Sequence, residues 1–321
     1  MSANCKHLIA IGDHKQLRPK LESYNLTVES GGPYMFNRSL FERLVISDFP
    51  LVTLNLQHRM QPQISSFIRD LTYPDLNDAE SVKNHADIRG VGGNVLFINH
   101  EIEEGSDGDD EFLSKSNAHE SEMVSKIVLY FLHHGYHGED IVVLTPYLAQ
   151  LRLLRQSLSK NTVVLLSELD KTEFAKANFD DVVEPTKIQR WQVPTIRVST
   201  IDNFQGEEAK IIIASLVRSN KQGDIGFMGR PERINVLLSR ARNGMFLLGN
   251  KKTLLKSNNS TWKQIFQKFE NENLISEGFP AKITCTVHGH SETKLLKFSN
   301  DFDNALKAKG CTSLCKESSG L

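Results

Sequence analysis

Arg233, Arg240 and Arg242 stand in the stretch RINVLLSRARNGMFLLGN, Arg233 to Asn250. Arginine keeps its charge at any working pH and offers a rigid fork of N–H donors that matches phosphate oxygens. In the same stretch Ile234, Leu237, Leu238 and Ala241 recur at helical spacing, an apolar stripe from which the arginines point away. Asn243-Gly244 predicts the end of that helix, because both residues tolerate the left-handed conformation. Met245 to Leu248 then reads as a strand buried on both faces. Neighbouring arginines at a helix end, beside a buried sheet, are what a phosphate-handling site requires. A solvated helix face with ordinary surface arginines fits the same residues, and this segment alone leaves both readings open.

Other residues bear on the choice. Gln16 stands in GDHKQLRP, Gly12 to Pro19, after the apolar run Lys6 to Asp13. A buried strand ending there would place polar side chains at the carboxyl edge of a parallel sheet, where ligands bind in open α/β folds. A Gln carboxamide accepts from water and donates to phosphate at once, though a plain polar turn explains the same residues. Arg59 follows Gln57 and His58 in LQHRM, between an expected strand, Leu51 to Leu56, and a helix opened by Pro62. Gln205, Gly206 and Glu208 occupy the loop DNFQGEE between the apolar strands Thr195 to Ile201 and Ile211 to Val217.

The elements that must position these side chains follow a rhythm. A helix with Met123, Val124, Ile127, Val128 and Phe131 on one stripe precedes the strand Ile141 to Leu144. That strand ends in Thr145-Pro146-Tyr147, and a helix carrying Leu148, Leu151, Leu154 and Leu158 follows. Glu101 to Glu111 is acidic and reads as a solvated loop. Leu165 to Trp191 lacks periodicity and reads as an insertion. Trp262 to Glu272 is a last amphipathic helix. Strand and helix in alternation, with continuous apolar strands, predict an α/β fold with a parallel sheet covered by helices on both faces.

Composition narrows the class. A chain of 321 residues suggests roughly two domains, or one large one with an appendage. The net charge of −1 excludes a globally basic nucleic-acid binder, so such a surface must be a local patch. No apolar run approaches membrane-span length, and the apolar start is too short for a signal peptide. Four cysteines, three of them near the C-terminus, do not make a secreted disulfide scaffold. The expected compartment is intracellular, nuclear or cytoplasmic, with no membrane partner.

Read together, GDHKQLRP, LQHRM, VVLTPY, VSTIDNFQGEEAKIIIASLVRSN and RINVLLSRARNGMFLLGN resemble superfamily-1 helicases of the up-frameshift type, in order and approximate spacing. QHRM, SLVRSN, Gly226-Phe227 and the cysteine/histidine tail are most similar to NFX-type zinc-finger-containing helicases linked to RNA silencing. The resemblance implies a RecA-like, P-loop-NTPase-type sheet and an ATP-dependent motor on single-stranded RNA or DNA. It implies a γ-phosphate sensor at Gln16 and phosphate-contacting arginines at Arg59 and Arg240. It places Gln57, His58, Gln205, Gly206, Glu208 and Arg242 around the nucleotide, with Glu208 on the ribose. It places Thr145, Tyr147, Ser199 and Thr200 on the nucleic-acid backbone, contacts that position a strand without reading sequence. Arg242 is either a second phosphate ligand or a brace for Glu207 or Asp202. His58 departs from the usual aromatic Tyr, and Lys210 stands where an acidic residue is usual.

No segment matches G-x-x-x-x-G-K-[ST], the cradle for nucleotide phosphates, nor is there an Asp-Glu pair upstream of Gly12 for Mg²⁺. The expected division is therefore a remnant of a first RecA-like domain at 1–23, a connector at 24–48 and a second RecA-like domain at 49–256. Insertions are expected near 101–117 and 165–193, a helix at 257–280 and a tail at 281–321. In the tail, Cys285, His288, Cys311 and Cys315 form two close ligand pairs, as in a tetrahedral zinc site, with His290 a rival ligand. A tail of reduced, unligated cysteines is the alternative. Two functions fit: the second half of an ATP-dependent RNA helicase, and a catalytically incomplete scaffold that binds RNA or a silencing or surveillance protein.

Overall fold

The computed structural model describes residues 6–105, 115–177, 179, 193–284 and 291–307. Along the chain, α1 (Leu40–Ile46) precedes β1 (Leu56–Gln57), α2 (Pro62–Leu71), β2 (Asn77–Asp78) and α3 (Glu80–Lys83). The series β3 (Val95–Asn99), α4 (Ala118–His133), β4 (Ile141–Thr145), α5 (Leu148–Leu158), β5 (Val163–Leu165), α6 (Glu168–Lys176) and β6 (Thr195–Thr200) follows. Then come β7 (Ala209–Ser215), α7 (Pro231–Leu238), β8 (Ala241–Gly249), α8 (Lys251–Lys256) and α9 (Ser260–Asn271). The last elements are β9 (Ile275–Ser276), β10 (Phe279–Thr284), β11 (Ser291–Leu296) and α10 (Ser299–Lys307).

The main sheet has seven strands in the order β5-β6-β4-β7-β8-β3-β9, and every pairing in it is parallel. Both faces are apolar because alternate strand residues point to opposite sides. Ile212 and Ala214 of β7 face the core under α2, α7 and α9, with Phe67, Phe266 and Phe269. Ile211 and Ile213 face the core under α4 and α5, with Phe131 and Leu154. Asparagines at 117, 250 and 259 accept the third N–H of α4, α8 and α9, and Pro62 and Pro231 open α2 and α7. The RecA-like expectation of a parallel sheet with helices on both faces is met.

Several local expectations are corrected. Residues 6–12 form no strand, and Leu8, Ile9 and Ile11 are exposed: an apolar run needs a paired neighbour to become a buried strand. The expected strand at 51–56 shrinks to β1, which pairs only with β2, and Val52 and Leu54 are exposed for the same reason. Asn243 and Gly244 do not stop α7, which ends at Leu238 with Ser239 as its cap, but lie inside β8. Glycine at 244 serves close packing instead, since a Cβ there would come within 2.8 Å of Ile88. The stretch read as an insertion carries α6, which the lack of periodicity did not announce. After the last expected helix, β10, β11 and α10 pack through Phe279, Leu296 and Phe302 against Tyr130 and Phe131 of α4.

Candidate functional site

The arginine cluster gathers at the amino edge of the sheet, where Ala209 of β7 is level with Ala241 of β8. Arg240, at the turn between α7 and β8, is 1% exposed. Its Nε donates to Val236 O at 3.0 Å, one terminal nitrogen to Glu207 O at 3.0 Å and the other to Ser239 Oγ at 2.9 Å. Every one of these acceptors is neutral, and among the described residues no carboxylate lies within ion-pair distance of it. Burial, and then the neighbouring charge of Arg59, pulls its pKa down to about 10. A buried cation held by neutral oxygens keeps a charge that an anion could complement.

Arg59 lies beside it. Its Nε donates to Glu208 at 2.6 Å and its guanidinium to Ser239 O at 3.0 Å. Glu208 is thus a carboxylate between arginines, with Arg242 3.8 Å away and half exposed. Neither brace expected of Arg242 forms: Asp202 is held by both forks of Arg233 at 2.6 Å, and Glu207 pairs with Arg197. Arg233, read from sequence as a charge pointing away from the apolar stripe, is a buried ion-pair residue. Gln57 spends its carboxamide on the turn it belongs to: its oxygen accepts the N–H groups of Arg59 and Met60, and its nitrogen donates to Met60 O and Asp78. It shapes the arginine's approach, and no end of it is left for a nucleotide. His58, Gln205 and Gly206 are exposed. Gly206 has φ +87°, open space where a Cβ would be, and a conformation that favours glycine.

Gln16 reaches this edge from the N-terminal loop, donating to Asp13 at 2.8 Å. Sequence reasoning missed what docks that loop. Tyr73 donates to the same Asp13 oxygen at 2.5 Å, and Asn235 donates to Tyr73 Oη at 2.8 Å and to Lys15 O at 3.0 Å. Burial, reinforced by Asp13, pushes the Tyr73 phenol well above its usual pKa. Arg18 binds Glu42 at 2.9 Å and Glu232 at 2.7 Å, which ties the loop to α1 and α7. No periodicity marks Tyr73, so only its neighbourhood after folding identifies it.

The opposite, carboxyl edge carries the residues expected to meet a nucleic acid, and it is more enclosed than the motif implies. Thr145 ends β4 level with Thr200 of β6, and its hydroxyl is buried without a hydrogen-bond partner among the described residues. Tyr147 is buried rather than presented: its ring stacks on Phe227 and its hydroxyl accepts the Phe227 N–H at 3.2 Å. Burial raises its pKa. Ser199 and Thr200 donate to Asp170 of α6 at 2.7 and 2.8 Å, so neither hydroxyl is open. Beyond β7, Val217 is held at φ +73°, a strained conformation for a β-branched residue, and its N–H donates to Glu120 at 3.0 Å. The segment 201–208 joins the carboxyl end of β6 to the amino end of β7, so one short connection runs from this edge to the arginine edge.

Cys285, His288, His290, Cys311 and Cys315 lie outside the described residues. Among the described residues no cluster of three or more His, Cys, Asp or Glu is placed for a metal ion. No described helix is long and apolar enough to cross a membrane.

A seven-stranded parallel sheet covered by helices on both faces, with arginines at one edge and strand-end hydroxyls at the other, is a RecA-like α/β domain. Residues 36–252 match the family described as an AAA domain, and the chain belongs to it as a superfamily-1 helicase domain of the up-frameshift type. It is 35% identical to "NFX1-type zinc finger-containing protein 1" of Mus musculus, over 98% of this chain and 14% of that protein. It is 34% identical to "Helicase required for RNAi-mediated heterochromatin assembly 1" of Schizosaccharomyces pombe, over 85% of this chain and 24% of that protein. Identity to "ATP-dependent helicase NAM7" of Saccharomyces cerevisiae is 30%, over 88% of this chain and 26% of that protein. The chain thus spans a quarter or less of most of these relatives.

Proposed function

We propose that this chain acts as the second RecA-like domain of an ATP-dependent helicase on single-stranded RNA. Residues 49–256 form that domain in this reading, and 1–23 belong with the first. The observation that carries it is Arg240, a buried cation with no carboxylate in ion-pair distance among the described residues. A terminal phosphate of ATP, presented by the first domain, supplies that anion. ATP with Mg²⁺ brings the transferable phosphoryl group when bound. Arg240 and Arg59 then stabilise the negative charge that builds on its oxygens. Arg59 leaves Glu208 to do so, which frees the Glu208 carboxylate for a ribose hydroxyl. Arg242, being exposed, follows Glu208 or contacts a second phosphate. Gln16 senses the occupied state through Asp13 and Tyr73. Gly206 and Gln205 let the loop close, and His58 offers a flat ring to the base.

RNA lies across the carboxyl edge, near Thr145 and Thr200. The segment 201–208, a 3₁₀ turn at Asp202–Phe204 followed by Gln205 to Glu208, carries the state of one edge to the other. The setting we infer is intracellular RNA silencing or surveillance, in keeping with the names of the relatives. In this reading Cys285, His288, Cys311 and Cys315 would hold zinc. A second reading, a scaffold that binds RNA or a partner protein without turnover, is favoured by the absence of a phosphate-cradling motif from these 321 residues.

The test is phosphate release with and without single-stranded RNA, measured on the chain alone and on the chain joined to a phosphate-binding first domain. The motor reading expects no turnover from the chain alone and RNA-stimulated turnover from the joined protein, lost in Arg240→Ala. Joined protein that binds ATP and RNA but never turns over would leave the scaffold.

A further inference from the structure

Helix α6 places a buried carboxylate against the carboxyl edge of β6. Asp170 is fully buried, yet no cation lies within ion-pair distance among the described residues. Neutral donors surround it instead. Ser199 Oγ donates to it at 2.7 Å, Thr200 Oγ1 at 2.8 Å, Asn203 Nδ2 at 2.7 Å and Ser167 Oγ at 2.7 Å. The Thr200 N–H approaches at 3.4 Å. Hydroxyl, amide and backbone donors converging on one point make a site for an oxyanion, and a phosphodiester presents oxygens of the same kind as a carboxylate.

Two further features bear on whether that carboxylate is a permanent part of the wall. The Thr145 hydroxyl, level with Thr200 in the neighbouring strand, is buried and unpartnered among the described residues. It extends the row of donors beyond what Asp170 uses. Helix α6 itself is lightly held: of its nine residues only Asp170 and Phe174 are buried, and Leu169 is exposed. On its outer side Glu173 pairs with the exposed Lys20 at 2.6 Å and accepts from Asn203 at 3.3 Å.

We propose that Asp170 is a built-in stand-in for a backbone phosphate of single-stranded nucleic acid, and that α6 is a displaceable cover over that phosphate site. RNA binding lifts Asp170 out, and the hydroxyls of Ser199 and Thr200, with the Asn203 amide, transfer to the phosphate. The inference rests on the carboxyl edge being the RNA face, as proposed above. Because Asn203 belongs to the 201–208 connection, the exchange also changes what holds the loop that carries Gln205, Gly206 and Glu208.

The experiment is fluorescence anisotropy of a labelled oligouridylate of about 12 nucleotides with the whole 321-residue chain. Asp170→Ala empties the site, and the apparent affinity should rise about tenfold as the competent fraction grows. Phe174→Ala loosens the cover without touching the oxyanion donors and should tighten binding in the same direction. Adding Ser199→Ala and Thr200→Val to Asp170→Ala should remove the gain. Excess inorganic phosphate should compete weakly with RNA in Asp170→Ala and not in the wild type. Wild-type binding that is unchanged or weakened in both Asp170→Ala and Phe174→Ala, with melting curves showing both folded, overturns the cover and leaves the RNA face standing. Absence of RNA binding in the wild type and every variant overturns both.

Discussion

The two edges of the sheet treat buried charge in opposite ways. At the amino edge Arg240 is a cation surrounded by neutral acceptors, with no carboxylate in ion-pair distance among the described residues. At the carboxyl edge Asp170 and Glu120 are carboxylates saturated by donors: Glu120 accepts from His100 at 2.9 Å, Ser215 at 2.6 Å and the Val217 N–H at 3.0 Å. A desolvated charge costs several kcal/mol unless something compensates it. Arg240 has its hydrogen bonds but no counter-charge within ion-pair distance among the described residues, as in a site whose counter-charge comes from a ligand. The carboxyl edge has its compensation already in place, so whatever binds there must exchange with groups of the protein.

The sharpest way to break this contrast is to remove each charge and measure both stability and turnover. Arg240→Ala should lower RNA-stimulated phosphate release by the joined protein roughly 10³-fold, the scale of a phosphate-contacting arginine. The same change removes a buried charge together with its three hydrogen bonds, so the net cost in urea unfolding should be only about 1–2 kcal/mol. A loss of several kcal/mol would mean that Arg240 is a structural residue and the comparison fails.

Glu120→Ala should do the reverse. It strands three donors and releases the Val217 turn, and it should cost about 3–5 kcal/mol in urea unfolding. The effect on RNA-free nucleotide binding should be small by comparison. Stability close to wild type would show that water takes over from the carboxylate and that this edge is less enclosed than its hydrogen bonds indicate.

Why one edge was easier to read than the other follows from how each is built. Arg59, Gln205, Glu208 and Arg240 are written in short contiguous motifs, so their types and spacing show through the sequence. Asp170 lies about thirty residues from Ser199 and Thr200, in a stretch whose helix buries only two side chains and so leaves no periodic stripe. Tyr73 and Asn235 are likewise brought to Asp13 only by folding. The parallel sheet was legible because each central strand is apolar on both faces. The runs at 6–13 and 51–56 have the same composition, but composition cannot supply the neighbouring strand that they would need. Asn243-Gly244 misled because a glycine that ends helices is also the residue that lets Ile88 approach β8.

A milder test addresses the connection between the edges. Gly206 sits at φ +87°, where an L side chain is strained, but no atom would clash with an added Cβ. Gly206→Ala should therefore cost only about 1 kcal/mol in stability. Because the strain falls in the loop that bears Gln205 and Glu208, the KM for ATP should rise more than kcat falls. An unchanged KM would separate that loop from the nucleotide.

The smallest effect is expected where the amino edge is already paired. Glu208 binds Arg59 at 2.6 Å, but both side chains are partly exposed, so their attraction is screened. Glu208→Ala should change unfolding stability by less than about 1 kcal/mol. Its kinetic consequence separates two roles that the geometry superimposes. If Glu208 only restrains Arg59 until phosphate arrives, its removal frees the arginine, and turnover holds or rises. If it also takes the ribose, the alanine variant loses its preference for ATP over deoxy-ATP. Competition between the two nucleotides in the joined protein, wild type against Glu208→Ala, decides between a restraint and a ligand. A restraint alone would make the amino edge, like the carboxyl one, a place where binding begins by exchanging a protein group.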